Sequence, residues 1–370
     1  MITYLAGYSR KKDSVFESVA HADGGGKRLR TIPLSFRGFP ETSERTNAAL
    51  AVAKRQPKGL GRVLKRWLIA AQYNGARRYF TRHSAHVAVC WNGLTGSRRA
   101  FMQGARDAGA KTLYTELAPF PGRVTLDHTG VNSANSLPRD PAFYLTWADR
   151  PDRQGEGWRA LGANLTARAS RRADVGQAGG ADLQAAGPFL FVPLQVPNDS
   201  QITLFGGWTG SVPAMIRALD AAAEALPDGW HIRIKEHPSA KTPMTEVLAQ
   251  TGPRIVVDNQ TDTFAQVAAS RGVITINSSV GLQAFFYDKP VVVLGQAFFA
   301  LPGLATTADG PDALRQCFAG ADTLTFDPAL RAAFMNYLDQ VYYPRAEPAD
   351  DGGLIVNPDD IAAKLAAARA

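Results

Sequence analysis

The chain has 370 residues, 45% hydrophobic and 20% charged, which suits two buried cores and excludes a disordered or fibrous polymer. Its formal net charge is +8, and its two cysteines, Cys90 and Cys317, lie too far apart in sequence to suggest a disulfide scaffold, so a reducing compartment is expected. No apolar run reaches the roughly 18 residues of a membrane-spanning helix, and the first apolar run precedes Arg10, Lys11 and Lys12, the reverse of a secretory signal.

In chain order, apolar periodicity predicts a strand over 2–7, a helix over 14–21 and a long helix over 62–82. A strand over 86–91, a helix over 97–107 and a strand over 112–117 follow, a rhythm of βα units with a mainly parallel sheet. Between Arg45 and Arg106 there is no Asp or Glu, while Lys54, Arg55, Lys58, Arg62, Lys65, Arg66, Arg77, Arg78 and Arg82 accumulate. Such a patch attracts polyanions; the plain alternative is a solvated helix surface. Lys58, Arg62, Lys65 and Arg66 beside Leu64, Trp67, Leu68 and Ile69 suit an anionic membrane face or a lipid-linked acceptor. The aromatics sit at helical spacing, with no stacking platform, so nucleic acid is not expected as a partner. The location expected is cytoplasmic, peripheral on the inner face of the membrane.

Residues 166–187, rich in Ala, Gly, Arg and Asp, read as a linker. Beyond it, strands over 189–196, 231–235, 255–257, 273–276 and 291–294 alternate with helices over 212–226, 242–250, 262–269 and 279–287. That is a doubly wound sheet, whose ligands bind outside the carboxyl ends of its strands. A last helix follows Pro358 and opens with Asp359 and Asp360. The domains expected are thus 1–165, then the linker, a doubly wound ligand-binding domain over 188–335 and a helical segment over 336–370.

Three polar clusters follow strands of the second sheet: Gln195-Val-Pro-Asn-Asp199-Ser-Gln201, Lys235-Glu-His237-Pro238 and Asn277-Ser278-Ser279-Val-Gly281. A strand followed by Ser-Ser-x-Gly and a helix offers two hydroxyls and free helix N–H groups to a phosphate, and His237 can donate to the same group. Taken singly, each cluster could equally be an N-cap.

With Lys289-Pro-Val-Val-Val-Leu-Gly295, these motifs resemble the capsule polysaccharide biosynthesis family, whose members transfer Kdo, an eight-carbon acidic sugar, from CMP-Kdo. The resemblance implies an α/β fold of the GT-B type, with two Rossmann-like doubly wound domains facing a central cleft and a C-terminal helix. It implies that Gln195, Asp199, Lys235, His237, Pro238, Ser278, Ser279 and Gly281 line the CMP site. In the first half, Tyr114-Thr-Glu116 and Val124-Thr-Leu-Asp127-His-Thr-Gly130-Val-Asn132 are similar to the family's acceptor side, although Leu117-Ala-Pro departs from the expected Gly-aromatic pattern. A β-linked product from a β donor implies retention, and a retaining double displacement needs a carboxylate nucleophile, here expected as Asp127, with Glu116 as acid and base. Otherwise Asp127 caps a turn and Glu116 pairs with an arginine. No Asp-x-Asp, metal-ligand cluster, Walker motif or Gly-x-Gly-x-x-Gly after a strand is present, so no metal or cofactor is expected. Partners expected are a nucleotide-sugar donor and a lipid- or glycan-linked acceptor. A transferase with another donor (CMP-sialic acid-like or a UDP-sugar) and a non-catalytic assembly scaffold are the alternatives.

Overall fold

The computed structural model describes residues 1–179, 183, 185–197 and 199–370, which form two compact units. Unit 1 comprises residues 1–118, 122–137 and 341–370; unit 2 comprises 119–121 and 138–340. The division differs from the one expected from composition. Residues 138–165 belong with unit 2, and the C-terminal segment from Val341 returns to unit 1.

Unit 1 is built on strands β1 (Ile2–Leu5), β2 (Gly26–Leu29), β3 (Val87–Trp91), β4 (Lys111–Leu117) and β5 (Val124–Asp127), in the order β2-β1-β3-β4-β5. All neighbours are parallel except β4 and β5. Its main helices are α1 (Arg10–Ala22), α2 (Thr42–Ala51), α3 (Gly59–Arg82) and α4 (Gly96–Asp107), with the C-terminal helix Pro358–Arg369. Every residue of β3 is buried, as expected of a central parallel strand covered on both faces. Val87, Val89 and Trp91 pack with Val15 and Phe16 of α1 and Ile361 and Leu365 of the last helix. Ala88 and Cys90 point the other way, against Phe80 and Phe101 of α3 and α4. Fully burying each such large apolar side chain stabilises the unit by about 1.5–3 kcal/mol.

Unit 2 carries β6 (Phe189–Pro193), β7 (His231–Lys235), β8 (Ile255–Val257), β9 (Gly272–Thr275), β10 (Val291–Val293) and β11 (Thr306–Thr307), all parallel. Their order, β8-β7-β6-β9-β10-β11, grows outward in both directions from the β6–β9 pair. Leu190, Val192, Ile232, Ile234, Ile274 and Val292 form one core with Met215, Ile216 and Leu219 of the helix Val212–Ala222. In the stretch expected as a linker, Gly180, Ala181, Asp182 and Gln184 lie outside the described residues. The part before them is integral to unit 2: Arg171 N–H donates to the Pro238 carbonyl at 2.9 Å, and Gly176 N–H to that of Asn259 at 2.8 Å.

Candidate active site

In an open parallel sheet, crossovers leave to opposite faces where the strand order reverses, and a crevice opens outside the carboxyl ends there. In unit 2 this point lies between β6 and β9, and Gln195 and Asn277 occupy it. Gln195 Nε2 donates to Asn277 Oδ1 at 2.9 Å, and Asn277 N–H donates back to Gln195 Oε1 at 3.3 Å. Asn277 Nδ2 donates to the carbonyls of Gln201 and Phe205, at 3.1 and 2.9 Å, so the amide is fixed from both sides. Ser278 caps the next helix, Ser279–Gln283, its Oγ accepting from Val280 N–H at 3.2 Å while its own proton stays available. Ser279 is exposed. That helix has only five residues, so the site offers an anion the two hydroxyls more than a helix dipole. Gly281 acts by packing: a Cβ there would lie 2.8 Å from Thr275 Cγ2 and 3.1 Å from the Phe299 ring.

His237 follows β7, on the other side of β6, and two strand spacings of the sheet amount to about 10 Å. Its Nδ1 accepts from Ser239 N–H at 3.0 Å, which assigns the ring proton to Nε2. Burial, then the charge of Arg168, lowers its pKa to about 4, against the opposing pull of Asp199. Near neutral pH the ring is therefore uncharged and holds one donor. Pro238 contributes the carbonyl that anchors Arg171.

Two residues expected at the donor are committed elsewhere. Lys235 is buried, and its ammonium spends all three protons on the carbonyls of Gly176, Asn259 and Thr261, at 2.8, 3.0 and 2.6 Å. It braces the loop that carries His237, with no proton left for a phosphate. The adjacent Glu236, part of the same sequence cluster but not assigned to the donor, does similar work, accepting from Arg172 Nη1 at 2.8 Å and Met244 N–H at 2.9 Å. Asp199 caps the helix Ser200–Phe205, accepting from Gln201 N–H at 2.9 Å. Asn198 lies outside the described residues.

In unit 1 the strand order reverses between β1 and β3. Asn92, directly after β3 and left-handed at φ 62°, donates from Nδ2 to Glu116 Oε2 at 3.0 Å. Lys12 Nζ stands 5.3 Å from the Trp91 ring centroid, and Arg98 donates to the Trp91 carbonyl at 3.4 Å. Burial, then Arg98, lowers the pKa of Lys12, while Glu116 pulls it up. Glu116 is thus a half-buried carboxylate at the ligand edge, with an amide donor on one oxygen and a cation nearby. Asn92 and Lys12 were not picked out in the sequence, although Asn92-Gly93 directly after an apolar run is the strand-end signal used for the other sheet.

Asp127 is placed differently. It pairs with Tyr114 in the antiparallel register, whereas Glu116 faces Thr125, so Asp127 lies one pleat repeat back from the ligand edge. Its side chain is buried and saturated. Oδ1 accepts from Thr129 N–H at 2.8 Å, Thr129 Oγ1 at 2.9 Å and Gly130 N–H at 3.1 Å. Oδ2 accepts from Ser136 N–H at 2.9 Å, Ser136 Oγ at 2.7 Å and Tyr342 Oη at 2.9 Å. Burial alone would raise its pKa, but these donors, led by the Ser136 and Thr129 amides, hold it below the usual carboxylate value. A nucleophile needs an accessible lone pair, and this carboxylate caps the 129–136 turn instead.

Lys58 precedes α3 as its N-cap residue, and Arg62 and Arg66 are exposed on it, with Lys65 half-buried. Among the described residues no group of three or more His, Cys, Asp or Glu is placed to hold a metal ion, and no helix is long and apolar enough to cross a membrane. Cys90 and Cys317 are both free.

A family model described as capsule polysaccharide biosynthesis protein matches residues 157–343. Protein FixF of Sinorhizobium fredii is 30% identical over 256 residues, which is 69% of this chain and 60% of FixF. The capsule polysaccharide modification protein LipB of Neisseria meningitidis is 30% identical over 128 residues, 32% of this chain and 30% of LipB. The chain thus spans less than two thirds of the length of each of these relatives. Among solved structures, the β-Kdo 2,7 transferase of Thermosulfurimonas dismutans KpsC superposes over the whole of both chains with a TM-score of 0.55, at 14% identity. The similarity shows a shared GT-B fold.

Proposed function

The chain belongs to the capsule polysaccharide biosynthesis protein family, and from that premise we propose that it is a glycosyltransferase that moves Kdo from CMP-Kdo to a lipid- or glycan-linked acceptor during surface-polysaccharide synthesis. The observation that carries this reading is the β6–β9 switch point of unit 2. There a locked Gln195–Asn277 pair flanks two serine hydroxyls, and a neutral His237 presents Nε2–H from the next strand but one. A nucleoside monophosphate needs a few donors on one phosphate and no second charge, and this set supplies them without a metal. A diphosphate donor would call for more positive charge than these residues bring. In this assignment Gln195, His237, Ser278 and Ser279 meet the donor, while Lys235, Asp199, Pro238 and Gly281 shape the loops that hold them.

In unit 1 the reacting carboxylate is Glu116 rather than Asp127. Glu116 attacks the anomeric carbon and CMP leaves with the bonding electron pair. The acceptor hydroxyl then displaces Glu116 from the same carbon, its proton passing to the departed CMP phosphate and Glu116 leaving as the free carboxylate. Two displacements at one carbon retain configuration. Asn92 holds Glu116 in position, and Asp127 keeps the neighbouring turn in place.

Isothermal titration with CMP, UDP and CMP-Kdo tests the donor assignment. CMP and CMP-Kdo binding, weakened about 10- to 100-fold by H237A or by the S278A/S279A pair, is expected from the loss of charge-assisted hydrogen bonds. Preference for UDP, or CMP affinity indifferent to both changes, overturns it. A protein that binds CMP-Kdo yet neither hydrolyses nor transfers it is a scaffold.

A further inference from the structure

We propose that the first turns of α3 are a bilayer-docking face that seats its apolar side chains in an anionic lipid surface. Leu60, Val63, Leu64, Trp67 and Leu68 are between 46% and 74% exposed, although they recur at the spacing that would normally face a core. At about 100° per residue they form one stripe roughly 140° wide. Ile69, Tyr73, Ala76 and Phe80 of the same helix lie on the opposite side, where α3 meets the unit-1 core, and from Ala71 onward the stripe's own side is covered too, with Ala71, Asn74 and Gly75 buried. The stripe is therefore outward over the first turns of α3 only, Leu60 to Leu68. The sequence expectation had included Ile69 in the apolar face; the structure gives Ile69 to the core and adds Leu60 and Val63 to the surface.

The charges decide what covers this stripe. Lys65 and Arg66 fall about 60° beyond its two borders, whereas Lys58 precedes the helix and Arg62 falls on the side away from the stripe. The chain between Arg45 and Arg106 has no Asp or Glu, and the acids just before it, Glu41 and Glu44, pair with Arg77 and Arg45. An apolar band flanked on both sides by long basic side chains matches an interface in which acyl chains meet anionic headgroups, with Trp67 at the boundary. A second copy of the chain would set like charges against each other along both borders. Nucleic acid would leave the apolar band uncovered. Docking combines insertion with attraction, so salt weakens it without abolishing it.

The test is co-sedimentation of the full chain with phosphatidylcholine vesicles, with and without phosphatidylglycerol, at low and high salt. Recovery with the anionic vesicles is expected, falling about tenfold in L64S/W67S at either salt and in K65Q/R66Q chiefly at low salt. Emission of the wild type is expected to shift to the blue on anionic vesicles, and that of W67F is not. The side chains changed are exposed, and circular dichroism checks that each variant is folded. Equal recovery with neutral and anionic vesicles, or unchanged recovery of L64S/W67S, overturns the proposal. So does light scattering that shows a dimer abolished by L64S/W67S while vesicles recover nothing. No donor or acceptor is present, so the outcome is independent of the CMP assignment.

Discussion

Replacing Asp127 by Asn separates a carboxylate that reacts from one that holds a turn. The change converts one acceptor oxygen into an N–H donor. If the new nitrogen takes the Oδ1 position, the amides of Thr129 and Gly130 both lose their acceptor. At the Oδ2 position the hydroxyls of Ser136 and Tyr342 can reverse and accept, and only the Ser136 amide is stranded. The cheaper placement leaves one buried N–H unpaired, and the remaining bonds lose their charge assistance; together these cost about 3–4 kcal/mol. D127N should therefore lower the urea stability of unit 1 by that amount and raise hydrogen exchange at the Thr129, Gly130 and Ser136 amides, while CMP binding stays intact. The pH dependence has a defined sign. A folded pKa below the unfolded value of about 3.9 stabilises above that pH, and the gain is lost as pH falls through the folded value. D127N should accordingly show a flatter acid limb than the wild type. A D127N protein that melts within about 0.5 kcal/mol of wild type yet transfers no sugar would return Asp127 to the reaction and refute the argument.

Three further outcomes are expected. His237 in the ligand-free protein should titrate near 4 by NMR, with stability rising between that value and the unfolded value of about 6.5; titration at 6.5 or above would remove the buried, neutral donor. E116Q should keep the urea midpoint of the wild type while losing turnover, since the Asn92 contact can survive as a neutral hydrogen bond; normal turnover in E116Q would clear Glu116 of any chemical role. R331M should raise the melting temperature of unit 2, because Arg331 is only 1% exposed, burial lowers its pKa to about 9, and none of its three nitrogens has a hydrogen-bond partner among the described residues. Its guanidinium lies over the rings of Phe285 and Phe326, at 4.3 and 3.1 Å from their centroids, and a fall in melting temperature would mean that this stacking outweighs the desolvation.

The sheets were legible because central parallel strands are covered on both faces and so read as unbroken apolar runs, Val87–Trp91 and Phe189–Pro193 among them. The strand-end rule also put His237, Ser278 and Gln195 just beyond the carboxyl ends of strands, where a polar residue must face the ligand edge or cap a helix. It could not tell which. Lys235 and Asp199 satisfy the same pattern, and only the carbonyls around Lys235 Nζ and the Gln201 amide beside Asp199 reveal bracing and capping. The sequence left Asp127 between nucleophile and turn cap, because the choice depends on β5 running antiparallel and on Tyr342, 215 residues away. The return of the C-terminal segment to unit 1 was equally hidden: Ile361 and Leu365 carry a helical pattern that does not say which sheet they cover.

The most direct test of the central claim is a mass-spectrometric transfer assay with CMP-Kdo generated in situ and a panel of lipid- and glycan-linked acceptors. The wild type should add one Kdo mass to an acceptor and release CMP, with both signals lost in E116Q and strongly reduced in H237A. An intact-mass adduct of one sugar on the wild-type enzyme, absent from E116Q, should accumulate when acceptor is withheld. CMP-Kdo left unconsumed across the whole panel by a folded, CMP-binding wild type, or transfer that continues undiminished in E116Q, would contradict it.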